Sequence, residues 1–184
     1  MGKRVFLVGP LCSGKTSLAQ KLIEKGFLKA KSNFYGIEQS RRLLSDGTMA
    51  GELDAWAGFL RQIQSPPDHD NAIYEFSGTG RHVYSVSWAI DHSKKQSPED
   101  EWLIVYCLIG KDPMMKRFPS KTYDAPCPFD MGDPLGSLAY MNTELEKSYR
   151  NGREWASSPK LKFDMNVADN YEQIANEVLA FYNK

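Results

Sequence analysis

The sequence predicts an α/β fold built around a parallel sheet, and three observations predict it. Short runs dominated by apolar residues, at 5–8, 72–76 and 102–109, have the length and composition of buried strands. Between them lie stretches with apolar residues three and four positions apart, the mark of amphipathic helices. Strand and helix patterns alternate, joined mostly by short loops, and alternation of that kind builds a parallel sheet. At 184 residues, 41% hydrophobic and 12% aromatic, the chain can close one sizeable core, so a single domain spanning 1–184 is expected.

The elements follow in order. Residues 5–8 form a first strand ending at Gly9, and Leu18, Leu22 and Ile23 mark the helix after it, with Gly26 where a C-terminal cap belongs. Residues 27–35 read as a short second strand or loop. Ile37, Leu43 and Leu44 set the apolar face of a second helix, stopped by Asp46-Gly47. Leu53, Trp56, Ala57 and Leu60 set that of a third, ended by the turn Ser65-Pro66-Pro67-Asp68. A strand at 72–76 leads through Gly78-Thr79-Gly80 into a helix marked by Val83, Val86 and Ile90, running to about His92. Residues 93–101 are polar and read as a loop. Residues 102–109 are unbroken and apolar, hence a strand buried on both faces. Residues 110–136 hold five prolines and three glycines with little periodicity, which predicts a long loop or lid. Leu138, Met141 and Leu145 restart a helix, capped by Ser137. Residues 161–167 supply a last strand, and Asp169-x-x-Glu172 resembles a capping box before Tyr171, Ile174, Ala175, Val178 and Leu179.

Charge excludes several function classes. Lys+Arg and Asp+Glu both number 23, and neither half of the chain is basic, so general electrostatic binding to nucleic acid or anionic membrane is not supported. The longest apolar run is eight residues, against roughly 20 for a spanning helix. Residues 5–8 are too short for a signal-peptide core, and Phe6 stands where a myristoylation signal wants Ser or Thr. Three scattered cysteines, Cys12, Cys107 and Cys127, suit reduced thiols, so a cytoplasmic protein is expected. His69, His82 and His92 lack metal-ligand spacing, which argues against a zinc site.

One motif carries chemistry. Gly9-Pro10-Leu11-Cys12-Ser13-Gly14-Lys15-Thr16 fits G-x-x-x-x-G-K-[ST], with Ser17 continuing into the helix. Glycines let backbone N–H groups curl around phosphate oxygens, and the following helix offers its positive end. Lys15 reaches the β- and γ-phosphates, and the Thr16 hydroxyl is a ligand for Mg²⁺. A chain of this composition would match the pattern by chance with a probability of roughly 0.01. The strand before the loop and the amphipathic helix after it supply the required context.

With this motif the sequence resembles the P-loop kinases, the superfamily of nucleoside, nucleotide and small-metabolite kinases. The resemblance is close over residues 5–16 and covers most of the chain in layout. It implies a three-layer fold, a parallel sheet of about five strands with helices on both faces, topped by a lid. It also implies ATP and Mg²⁺ as donor and metal, and a small acceptor, most simply a nucleoside or nucleotide. Residues Gly9, Pro10, Leu11, Cys12, Ser13, Gly14, Lys15, Thr16 and Ser17 would hold the donor. Glu75 stands where the superfamily places an acidic residue near Mg²⁺ or the acceptor hydroxyl, so it is a candidate metal ligand beside Thr16 or a general base. The usual four hydrophobics before an Asp are missing there.

Other candidates rest on position. Arg81, in the turn after the 72–76 strand, and Arg41, on the helix after the second strand, are candidates to hold an acceptor phosphate or carboxylate. Arg41 and Arg42 point roughly 100° apart, so at most one faces the cleft. Lys111, Lys116, Arg117 and Lys121 make the expected lid basic, and Arg117 is the leading candidate to stabilise the transferred phosphoryl group, with Lys15. Cys12 reads as a small residue filling a tight loop, and Trp56, Phe59 and Leu60 as core rather than pocket. The competing readings are a regulatory nucleotide-binding switch acting through a protein partner and, disfavoured without a basic stripe, a kinase of nucleic-acid ends.

Overall fold

A computed structural model describes residues 1–66, 70–120, 132–151, 155, 158–166 and 170–183. Among the described residues, five parallel strands, β1 (Lys3–Val8), β2 (Phe34–Gly36), β3 (Ala72–Phe76), β4 (Glu101–Leu108) and β5 (Lys160–Asp164), lie in the order β2-β3-β1-β4-β5. Seven helices accompany them there: α1 (Lys15–Glu24), α2 (Ile37–Leu44), α3 (Met49–Gln64), α4 (Val83–Gln96), α5 (Lys111–Arg117), α6 (Pro134–Asn151) and α7 (Tyr171–Phe181).

The central strands show why the sheet sits between two helical layers. Along β1, Val5 and Leu7 pack with Leu18 and Leu22 of α1 and Ile174 and Val178 of α7. The alternate residues Phe6 and Val8 pack on the other face with Phe59 of α3, Ile90 of α4 and Leu145 of α6. All four β1 residues are fully buried, as a strand covered on both sides must be. Aromatic rings dominate the second face: Phe6 stacks on Tyr74 at 5.7 Å and meets Phe76 edge-on at 5.7 Å. Burying each such ring contributes roughly 1.5–3 kcal/mol.

Register brings three strand ends to one level. Leu7 pairs with Glu75 and Val8 with Phe76, and Gly36 pairs with Glu75 from the other side. The loops after β1, β2 and β3 therefore leave the sheet side by side at its carboxyl edge. Open α/β sheets bind ligands at that edge.

Several expectations need correction. α2 buries Ile37, Ser40 and Arg41, while Leu43 and Leu44, expected on its inner face, are exposed. A buried ion pair described below sets that rotation. In α3 the inner face is Ala55, Trp56, Phe59 and Ile63, with Leu53 outside. α4 runs on to Gln96 through Ser93, which faces the core, so the loop before β4 is shorter than expected. Residues 110–136 are not simply a loop. Residues 111–117 form α5, with Met114 buried against Leu11, Leu138 and Met141, and α6 already starts at Pro134, placing Ser137 inside it rather than at its cap. The rest of the expected lid, 121–131 with Lys121 and Cys127, lies outside the described residues, as does Asp169 of the expected capping box. α7 is instead preceded by Asn170, which makes no side-chain cap. Among the described residues no helix is long and apolar enough to cross a membrane.

Candidate active site

The loop from Gly9 to Gly14 turns tightly because its backbone uses conformations that most residues avoid. Gly14 has φ +83°, natural for glycine, and Cys12 adopts φ +62° with its side chain buried. Gly9 has no room for a side chain: a Cβ there would collide with the Cys107 carbonyl and the Ser13 hydroxyl. The Ser13 hydroxyl itself is fully buried and makes no hydrogen bond. Burial pushes the Cys107 thiol, behind the loop, up to about 12, so it stays protonated and unreactive. Lys15, first residue of α1, folds back so that Nζ donates to the carbonyls of Gly9 and Pro10, each at 2.9 Å.

Thr16 and Glu75 meet across the β1–β3 boundary. The Thr16 hydroxyl donates to both carboxylate oxygens of Glu75, at 3.0 and 3.1 Å. Hydroxyl and carboxylate oxygens are the donor set that Mg²⁺ prefers, so the chemistry of this pair fits a Mg²⁺ ion.

Two cavities flank the pair. One, about 290 Å³, is lined by Phe34, Gly36, Ile37, Gln39, Arg42, Phe76, Ser77 and Met141 in addition to Gly9, Leu11, Lys15, Thr16, Glu38 and Glu75. The other, about 330 Å³, is lined by Cys12, Gly14, Ser17, Arg117 and Tyr171 together with Leu11, Lys15, Thr16, Glu38 and Glu75. Lys15, Thr16, Glu38 and Glu75 thus belong to both, a junction of one cation, one hydroxyl and two carboxylates between two compartments.

The candidates sort against this geometry. Lys15, Thr16, Ser17, Glu75 and Arg117 come together. Arg117 reaches from the end of α5 to donate to the Cys12 carbonyl at 3.1 Å and the Met165 carbonyl at 3.0 Å, bracing the phosphate loop against the end of β5. Arg41 is elsewhere. Its guanidinium lies behind α2, bonded to Glu52 of α3 at 2.7 and 2.9 Å, with both side chains almost fully buried. The Trp56 indole N–H donates to the same carboxylate at 2.8 Å, and its ring stacks on His82 at 4.0 Å. Burial raises the Glu52 pKa, but the bonds and charge of Arg41, with Trp56, outweigh this and hold it below the usual value. Locking Arg41 inward turns its neighbour Arg42 to the first cavity. Arg81 bonds His82 Nε2 at 3.1 Å, approaches the Met49 sulfur at 3.9 Å, and lines neither cavity.

Two residues of the site escaped sequence reading, and a third, Arg42, was weighed there only against Arg41. Glu38 and Arg42 sit on α2, whose preceding strand is only three residues long and has no apolar signature. The one available signal was the acidic residue in the first turn of that helix. Tyr171, read from sequence as part of an apolar face, begins α7 and sets its phenol against Gly14, where a Cβ would strike it.

This architecture is the P-loop kinase fold. No protein-family model matches the sequence, and a search of curated proteins gives no match. Solved structures do match. Shikimate kinase from Acinetobacter baumannii superimposes with a TM-score of 0.60 at 14% identity, covering 98% of this chain and 94% of that one. A sugar kinase from Janibacter sp. gives 0.59 at 14% identity over 100% and 95% of the two chains. Deoxyadenosine kinase from M. mycoides gives 0.55 at 11% identity over 97% and 99%. The structural neighbours of this chain are small-molecule kinases.

Proposed function

We propose that the protein is an ATP- and Mg²⁺-dependent phosphotransferase acting on a small hydroxyl acceptor, within one domain spanning 1–184. The observation that carries this is the pair of cavities joined at Lys15, Thr16, Glu38 and Glu75. A nucleotide switch needs one compartment for its nucleotide, whereas a transferase needs two that meet at the reacting phosphorus.

Phosphoryl transfer is mostly positioning and charge neutralisation. The N–H groups of residues 9–17 and the start of α1 would cradle the phosphates of ATP in the 330 Å³ cavity. Lys15 exchanges its two carbonyl partners for phosphate oxygens. Thr16 and Glu75 would hold Mg²⁺, whose charge would offset that of the phosphate chain. The acceptor occupies the 290 Å³ cavity, at the small end of ligand pockets, which run to roughly 300–1,000 Å³. Glu38 takes the acceptor's proton as its oxygen bonds to the γ-phosphorus. The bond to the bridging oxygen breaks, and ADP leaves with the electron pair. Arg117, already beside the loop, neutralises the transferring group.

A labelled-ATP screen over nucleosides, nucleotides and small sugars tests the reading. Label transfer to at least one acceptor is expected. Slow hydrolysis indifferent to every acceptor would favour a regulatory nucleotide-binding switch.

A further inference from the structure

We infer that the acceptor is an uncharged hydroxyl compound, not a phosphorylated one. The inference rests on the phosphotransferase reading and narrows its substrate class.

The argument is one of charge. Sequence offers three arginines, Arg41, Arg42 and Arg81, to hold an acceptor phosphate, and the fold takes two of them away. Arg41 is neutralised by Glu52 in a pair that is 4% and 3% exposed, facing away from the cavity. Arg81 lies outside the lining, against His82 and Met49. Arg42 is left, and it is already engaged within the protein. Opposite it stands Glu38, so the acceptor side carries no net formal charge among the described residues. Across the junction Lys15 is balanced by Glu75 in the same way.

A phosphate monoester brings a charge of about −1.5 to −2 at neutral pH and is held by arginine clusters or several charge-assisted donors. In this cavity it would lie beside two carboxylates and the donor's own phosphates, and of the two cations among the described lining residues Lys15 serves the donor and Arg42 is engaged within the protein. Like charges so placed are a strong discriminator. A neutral molecule meets no such opposition. The amide of Gln39 and the hydroxyl of Ser77 can bond its hydroxyls, while Phe34, Phe76 and Met141 offer apolar surface to the rest of it. Glu38 then has a purpose, because an alcohol is a weak nucleophile whose proton must go somewhere, and a carboxylate beside a neutral hydroxyl can take it.

Matched pairs that differ only in a phosphate test this: deoxyadenosine with its monophosphate, glycerol with glycerol phosphate, and glucose with glucose phosphate. Acceptor-dependent ADP formation is followed for each member. The neutral member of any pair that is used should show a kcat/KM roughly tenfold or more above its partner. A preference for the phosphorylated member would overturn the charge inference while leaving the phosphotransferase reading intact. Failure of every member to stimulate ADP formation would overturn the phosphotransferase reading, and the inference with it. Equilibrium binding to the Mg-ADP complex supplies a readout independent of turnover. Glu38→Gln should tighten binding of the phosphorylated members about fivefold relative to its effect on the neutral ones. Equal affinity of both proteins for the phosphorylated members would overturn the inference.

Discussion

The two sides of the cleft are built in opposite ways. The proposed donor side is a contiguous stretch, residues 9–17, whose geometry comes from its own backbone: two positive-φ residues, a glycine pressed against β4, and the start of α1. The proposed acceptor side is assembled from the end of β2, one face of α2, the end of β3 and a methionine of α6. Its key helix is only eight residues long and is oriented by a buried ion pair to α3. A local loop keeps its shape when its side chains are trimmed. A site held by tertiary contacts does not, and the contrast can be broken by mutation.

The largest effect is expected behind the acceptor side. Glu52→Ala strands the buried Arg41 and should cost about 3–5 kcal/mol of stability in urea denaturation. The double change Arg41→Met, Glu52→Leu should recover most of it, because well-packed apolar replacements of a buried pair are often neutral. If Glu52→Ala unfolds at the wild-type midpoint, α2 is held by something else.

The donor side should behave in reverse. Lys15→Ala removes a charged phosphate contact worth roughly 1.5–3 kcal/mol, so ATP use should fall about ten- to a hundredfold. Its unfolding midpoint should barely move, since Lys15 is half-buried and bonds only loop carbonyls. Near-normal turnover by folded Lys15→Ala protein would remove the donor assignment. Glu75→Gln keeps shape and loses charge. It should lower turnover by about tenfold, or roughly 1.4 kcal/mol, with nucleotide affinity changed only a few fold. Full activity across pH would make Glu75 structural.

The same contrast explains what was legible in the sequence. The tight turn from β1 into α1 could be read because its pattern is local: Gly9, Gly14, Lys15 and Thr16 stand at a fixed spacing within one short stretch. The buried strands could be read because double-sided burial leaves an apolar run, clearest in β4. Leu43 and Leu44 misled because helical periodicity reports an apolar face, whereas the inner face of α2 is decided by Arg41 finding Glu52 eleven positions later. Glu38 was invisible for the same reason, and which of Arg41 and Arg42 faces the cleft is decided only by the pairing of Arg41 with Glu52. Lys111, Met114 and Met115 look irregular in sequence, yet a short helix forms because Met114 finds a pocket between Leu11 and Met141.

The smallest expected effect is on pH dependence. Burial beside Trp56, with the charge of Arg81, holds His82 below its usual value. A depressed histidine favours its neutral form in the fold, so its contribution to stability is complete above the ordinary value of about 6.5 and is lost as pH falls below it. Glu52 loses its own contribution lower still, as pH falls below the ordinary glutamate value of about 4.3. The His82 ring signals followed by NMR should titrate with a midpoint below that of a histidine peptide. A midpoint at or above it would contradict the packing of His82 on Trp56.

The central claim is that two compartments meet at one junction, with Glu38 serving the acceptor and Lys15 the donor. Transfer of label from the γ-phosphate of ATP, measured for wild type and Glu38→Gln with the best acceptor found by screening, tests it most directly. The account predicts that Glu38→Gln loses acceptor phosphorylation by about a hundredfold or more while binding ATP within a few fold of wild type. Equal rates of transfer by the two proteins would contradict it.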